Sequence, residues 1–325
     1  MKSPTHNLNL RHYVMSKIAE NNATVLFAAL GCLLALEFQH LGLHPVPSSG
    51  LAALFLIIVL SILNIGGACG PAILCGSFAG MSFLPDLLPA LNGFQGHLPW
   101  ILFALLLSCA VGFVYLLTQN LSDKFPRGML NGFGGKLGAT AFAATLLCTY
   151  LTRLFLGIPT PIHPPTSNEV SVFLGNLSLL DFGFSILASM AGAVLPILLT
   201  GKEILLIPLP VRQKSIYQLT ANSKVMGIAL LGFAVGGPLL LIPQVGQIMA
   251  TSWYMGTFVS MTALSLPAPN RFKLLAGTLA PIFLWILQTR FNGTGGLLGL
   301  AALLSVFTIH TVGTVGNFVF RRIAP

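Results

Sequence analysis

Glu37, His40 and His44 fall at i, i+3 and i+7, so one continuous helix would bring a carboxylate and two imidazoles onto a single face. Such a set can bind a metal ion or relay a proton. Pro45 follows at once, however, and polar residues at the end of an apolar run also read as an interfacial group facing water. The other ionisable side chains stand singly. Lys136 lies one residue inside an apolar run, where it can neutralise an anion or titrate, or reach back to the surface as an anchor. Glu37 and Asp181 are the best embedded carboxylates, and His310, deep in the last apolar run, is either a proton relay or a packing histidine. The hydroxyls of Ser77, Ser82, Thr257, Ser260 and Thr262 can bond a polar solute or their own backbone carbonyls. The five cysteines, Cys32, Cys69, Cys75, Cys109 and Cys148, form no Cys-x-x-Cys pair. They read as small packing residues, with neither a disulfide framework nor a cysteine metal site.

Two glycine-rich elements offer different chemistry. Asn131-Gly-Phe-Gly-Gly-Lys-Leu-Gly138 and Asn292-Gly-Thr-Gly-Gly-Leu-Leu-Gly299 each open an apolar run. Glycines ahead of a helix let N–H groups turn toward an anion, with the positive end of the helix dipole behind them. The same glycines also permit tight turns and close helix packing. Neither element is a phosphate-binding P-loop, since the Gly-Lys-Ser/Thr ending is missing and no strand precedes it.

The elements that must position these groups are set by composition. Hydrophobic residues make up 55% of the 325 residues and charged residues 7%, against about 25% charged in a soluble domain. That is too little charge to coat a water-exposed surface. The formal charge of +9 forms no continuous basic stripe, so nucleic acid is excluded as a partner and the lipid bilayer is implied. A bilayer-crossing helix needs about 20 mainly apolar residues. Ten stretches qualify, some barely: 23–43, 50–67, 69–85, 99–118, 135–157, 177–199, 224–243, 245–264, 271–290 and 295–319. The first is too long for a signal-peptide core and has no convincing cleavage site. The second and third meet at Gly66-Gly67-Ala68, the seventh and eighth at Pro243-Gln244, so either pair can instead be a re-entrant hairpin. With a cytoplasmic N-terminus, ten spans put fourteen of the sixteen basic residues inside and leave only Arg153 and Arg290 outside. Both termini are then cytoplasmic. This gives a cytoplasmic segment 1–22, a five-helix unit 23–157, an external loop 158–176, a second unit 177–319 with a cytoplasmic loop 200–223, and a tail 320–325.

The chain also repeats itself. Gly76-Ser-Phe-Ala-Gly-Met-Ser82 in the third stretch returns as Gly256-Thr-Phe-Val-Ser-Met-Thr262 in the eighth, and the Asn131 element returns at Asn292. Both matches come in the same order and at the same place in a five-helix unit. Five is odd, so the second unit would enter the membrane upside down. The expected fold is an all-α polytopic membrane protein of about ten transmembrane helices, arranged as a 5+5 inverted-topology repeat. Many secondary transporters are built this way, with solute held among broken helices near the midplane. No known family's signature residues can be placed on this chain. The expected function is a secondary transporter moving a small anionic or neutral solute by alternating access, in a bacterial inner membrane. A channel of the same design and a membrane enzyme acting on a lipid-like substrate are the alternatives. The expected solute-binding residues are Ser77, Met81, Ser82, Asn131, Lys136, Thr257, Ser260, Met261 and Asn292, with no cofactor and no metal. The sequence does not name a coupling ion, Na+ or H+, and it is compatible with a homo-oligomer.

Overall fold

In lipid a backbone must satisfy its own polar groups, which a helix does within one segment. The computed structural model describes residues 4–63, 69–83, 87, 97–124, 132–156, 178–200, 223–262 and 269–323. Every regular element among them is helical: α1 Pro4–His40, α2 Pro45–Ile62, α3 Gly70–Ala79, α4 His97–Lys124, α5 Lys136–Leu156, α6 Leu179–Thr200, α7 Ser223–Ala234, α8 Gly236–Leu239, α9 Gly246–Ser260, α10 Pro269–Phe291 and α11 Leu297–Ile323. Seven of them carry apolar stretches long enough to cross a membrane: Asn21–His40, Pro45–Ile62, Trp100–Ser122, Lys136–Phe155, Leu179–Pro196, Asn270–Phe291 and Leu297–Val315. The chain is a helical integral membrane protein.

The other three stretches of the ten-span reading hold shorter helices. α3 has 10 residues, about 15 Å at roughly 1.5 Å per residue, half of a hydrocarbon core of about 30 Å. α7 stops after 12 residues, and α8 adds a single turn. α9 has 15 residues. Glycine and proline cause the breaks. α3 opens on Gly70-Pro71 and its last turn tightens at Gly80. Gly236-Gly237-Pro238 lies where α7 gives way to α8. Pro243 and Gln244, the latter at φ 68°, turn the chain into α9. Stretches 69–85, 224–243 and 245–264 are therefore not continuous spans. The loop 158–176 lies outside the described residues, as do residues 201–222.

Packing in the two halves corresponds element by element. α1 packs on α3 and α4, and α6 packs on α9 and α10 in the same way. α4 lies against α5 as α10 lies against α11, and α3 against α5 as α9 against α11. The correspondence holds at single residues. A Cβ on Gly76 would strike the carbonyl of Ala28 and crowd the backbone nitrogen of Cys32, while one on Gly256 would strike Ser189 and crowd Ala193. Gly31 likewise meets the carbonyl of Ile73, and Gly192 that of Trp253. The offset that carries Asn131 to Asn292 also carries Ala28 to Ser189 and Gly31 to Gly192.

The halves join through α2 on α7 and α5 on α11. The contacts between segments 133–142 and 291–310, which hold the starts of α5 and α11, run in opposite senses. Phe133 meets Phe307 and His310, with ring centroids 6.0 and 5.4 Å apart, whereas Phe142 meets Phe291 at 5.2 Å. Between these pairs the backbones of Gly138 and Gly299 touch, with no room for a side chain on either. α5 and α11 thus cross antiparallel, close to where each begins.

Candidate functional site

The crossing of α5 and α11 gathers the ends of four helices. Gly132 and Gly135 ahead of α5 have φ of 83° and 87°, and Gly293 and Gly296 ahead of α11 have 73° and 81°. These left-handed values favour glycine. They fold each element into a turn that presents one N–H to the other half. Gly134 N donates to Thr262 Oγ1 at 3.2 Å, and Gly295 N donates to Ser82 Oγ at 3.1 Å. Each hydroxyl in turn donates to a carbonyl at the end of its own broken helix, Ser82 to Ala79 at 2.6 Å and Thr262 to Val259 at 2.7 Å. On the α3 side Phe83 N adds a bond to Gly293 O at 2.8 Å. The end of α3 is therefore bonded to the start of α11, and the end of α9 to the start of α5.

The rings of Phe78 and Phe258 meet between these two junctions, with centroids 4.4 Å apart. A buried chain of hydroxyls lies beside them. Tyr254 Oη is 3.3 Å from Ser49 Oγ, Ser49 donates to Ser77 Oγ at 3.0 Å, and Ser77 donates to Leu74 O at 2.9 Å. Next to Ser49, the fully buried Ser48 Oγ has no hydrogen-bond partner among the described residues. Three linked hydroxyls on α2, α3 and α9 so form a polar island inside the apolar core.

Charge is placed unevenly around the two junctions. Lys136, half-buried, donates to Ser122 Oγ at 3.1 Å near the end of α4. Lys273, in the first turn of α10, donates to Ser260 O at 2.8 Å. Both lysines flank the junction of Gly134 with Thr262. At the other junction Gln39 donates to Gly80 O, and Arg153 donates to Leu87 O at 2.6 Å. The protein-family models, curated proteins and solved structures compared with this chain include no match to it.

The residues expected to bind solute are distributed as follows. Ser82 and Thr262 sit in the two junctions. Ser77 and Thr257 are fully buried, and each hydroxyl bonds a carbonyl three residues back, Ser77 to Leu74 and Thr257 to Tyr254. Ser260 does the same to Thr257. Met81 and Met261 are half-buried at the ends of α3 and α9, and Asn292 is exposed ahead of α11. Asn131 lies outside the described residues. Gly76 and Gly256 face α1 and α6, not each other, so α3 and α9 approach through Phe78, Tyr254 and Phe258 instead. Ser49, Tyr254, Gln39 and Lys273 are not among the site residues expected from the sequence. None lies in a repeated motif, and the packing of α1 and α2 on α3 and of α10 on α9 brings them in.

The Glu37, His40 and His44 group serves other ends. Glu37 and His40 are exposed. The His40 ring lies 4.7 Å from that of Trp100. His44 caps α2, its Nδ1 accepting from Val46 N at 3.3 Å. Among the described residues no group of three His, Cys, Asp or Glu side chains is placed to hold a metal ion. Asp181 stands in the first turn of α6, where its N–H bonds the capping Ser178 Oγ at 3.1 Å. His310 stands edge-on to Phe133 and Phe272, and its Nδ1 is buried with no partner among the described residues.

The cap at His44 makes a pH prediction. Burial lowers its pKa from the ordinary 6.5, and protonation removes the Nδ1 lone pair that caps α2. The unfolded chain therefore binds this proton more readily than the folded one. The contribution to stability is complete above about pH 6.5 and falls as pH drops through that value toward the lowered folded pKa. His44→Ala is expected to cost about 1 kcal/mol at pH 8 and to flatten the dependence between pH 7 and pH 5. His44→Asn should keep the cap and flatten the same slope. Thermal unfolding of the purified protein across that range is the measurement, and an unchanged slope in both variants would remove the cap from the explanation.

Proposed function

We propose that the chain is a secondary carrier for a small anionic or neutral solute, built as a 5+5 inverted-topology repeat and working by alternating access. The observation that carries this reading is the crossed exchange at the centre. Each broken helix, α3 or α9, ends on a hydroxyl bonded to the glycine turn that opens the last helix of the other half. Broken helices at matching places in two halves, with exposed peptide groups between them, are where secondary carriers hold solute. The antiparallel crossing of α5 and α11 supports an inverted relation over a parallel one. The ring contact of Phe78 with Phe258 and the backbone contact of Gly138 with Gly299 close the centre. Passage then needs relative movement of the halves, which favours a carrier over a channel of the same design. Lys136 and Lys273 beside one junction support an anionic or neutral solute over a cation. In the inverted arrangement that junction faces the cytoplasm, with both termini, and the Ser82–Gly295 junction faces outward.

Cysteine accessibility tests the reading. In a chain whose five native cysteines are replaced, Met81→Cys is expected to react with a membrane-impermeant maleimide from outside, and Met261→Cys from inside. A solute that raises thermal stability in a metabolite panel should raise one reactivity and lower the other. If both positions react from one face at once, the pathway is an open pore and alternating access fails.

A further inference from the structure

We infer that the C-terminal end of α9 is a monovalent-cation site whose occupant is the chain's own Lys273. A helix C-terminus carries about half a negative charge on carbonyls without intrahelical partners. In carriers with broken helices such ends take up a free cation. Here Lys273 Nζ lies 2.8 Å from Ser260 O, and Ser260 and Thr262 direct their own hydroxyl protons to Thr257 O and Val259 O. At the end of α9, Ser260 O thus accepts the ammonium group while the chain's own hydroxyls hold Thr257 O and Val259 O. The equivalent end of α3 is also closed from a neighbouring long helix, but by a neutral group, the Gln39 amide on Gly80 O. The donors are not equivalent residues, since Gln39 ends α1 and Lys273 begins α10. A neutral amide therefore satisfies such an end as a hydrogen-bond donor. The formal charge at α9 is the additional element, and it is what a bound sodium or ammonium ion would supply.

In the carrier reading this tethered cation takes the place of a coupling ion at α9, so that end needs no free sodium. The inference rests on the geometry at Ser260, and its test reads stability, so its failure leaves the transport reading standing. The melting temperature of the purified full-length protein is compared in sodium, methylammonium and choline chloride at equal ionic strength, choline being too bulky to enter. Lys273→Ala is expected to melt lower than wild type in choline and to regain at least half of that loss in sodium or methylammonium. Lys273→Met, which keeps the packed stem and so the fold, should show the same cation-specific gain. Lys273→Gln, with an amide like that of Gln39, should gain no more from sodium than wild type does. If neither the alanine nor the methionine variant gains more from sodium or methylammonium than wild type, or if neither loses stability in choline, Lys273 is a simple helix cap and the inference fails.

Discussion

Gly256→Ala is expected to destabilise the protein by about 3 kcal/mol or more, and Gly76→Ala by as much, because overpacking here meets backbone and not a flexible side chain. The added methyl would collide with the carbonyl of Ser189 in one case and of Ala28 in the other. Neither helix can give way without separating α9 from α6 or α3 from α1. Gly183→Ala and Gly313→Ala are the controls, since nothing lies within 4 Å of a Cβ at either position. Removing a helical glycine there should be neutral, or favourable by up to about 1 kcal/mol. Unfolding of the four purified variants in mixed detergent makes the comparison. Equal behaviour of all four would mean that the close approaches of α3 to α1 and α9 to α6 do not support the fold.

Ser82→Ala and Thr262→Val carry the second large effect. Each deletes the acceptor of a buried glycine N–H, Gly295 in one case and Gly134 in the other. A buried donor left without a partner costs about 1–3 kcal/mol. Thr262→Ser retains the acceptor and should lose only about 0.8 kcal/mol, the worth of one buried methyl. In the carrier reading the two bonds hold opposite ends of the pathway shut. Ser82→Ala should then raise the reactivity of Met81→Cys from outside, and Thr262→Val that of Met261→Cys from inside. Loss of stability with unchanged reactivity would make both bonds structural only.

Membrane location and helical class were legible because the apolar runs are long and the charges few. The matched motifs were legible for a different reason. Gly76 and Gly256 repeat because each lies against a neighbouring backbone, a demand that no other residue meets. The correspondence of α1 with α6 was hidden. Its contacts use backbone at Ala28 and Ser189, where the side chain is free to differ. Helix length was also obscure, because hydropathy counts apolar residues and does not see α3 stop before Gly80 or α7 stop before Gly236. Lys136 shows the limit for single residues. Its place in sequence admits both a solute ligand and an anchor, and the position of Ser122 shows where its ammonium rests. The Ser49–Tyr254 bond joins residues far apart in the chain and in different halves, so no spacing rule reaches it.

If the chain is the inverted repeat proposed above, contacts between matched residues bear on how it changes over generations. Gly138 touches its own counterpart, Gly299, and Phe78 touches Phe258. In an ancestor made of two identical half-length chains, one mutation at either position would have altered both sides of the contact together. Only residues that tolerate themselves survive that doubling, and glycine against glycine or ring against ring does so. Positions away from the axis meet a different residue and are released once the halves are fused. Gln39 against Gly80 and Lys273 against Ser260 are such positions, and there the two halves have taken unlike solutions. In the proposed repeat, fusion leaves such self-contacts conservative while freeing the two junctions to acquire different charges, which suits a carrier whose two faces must differ.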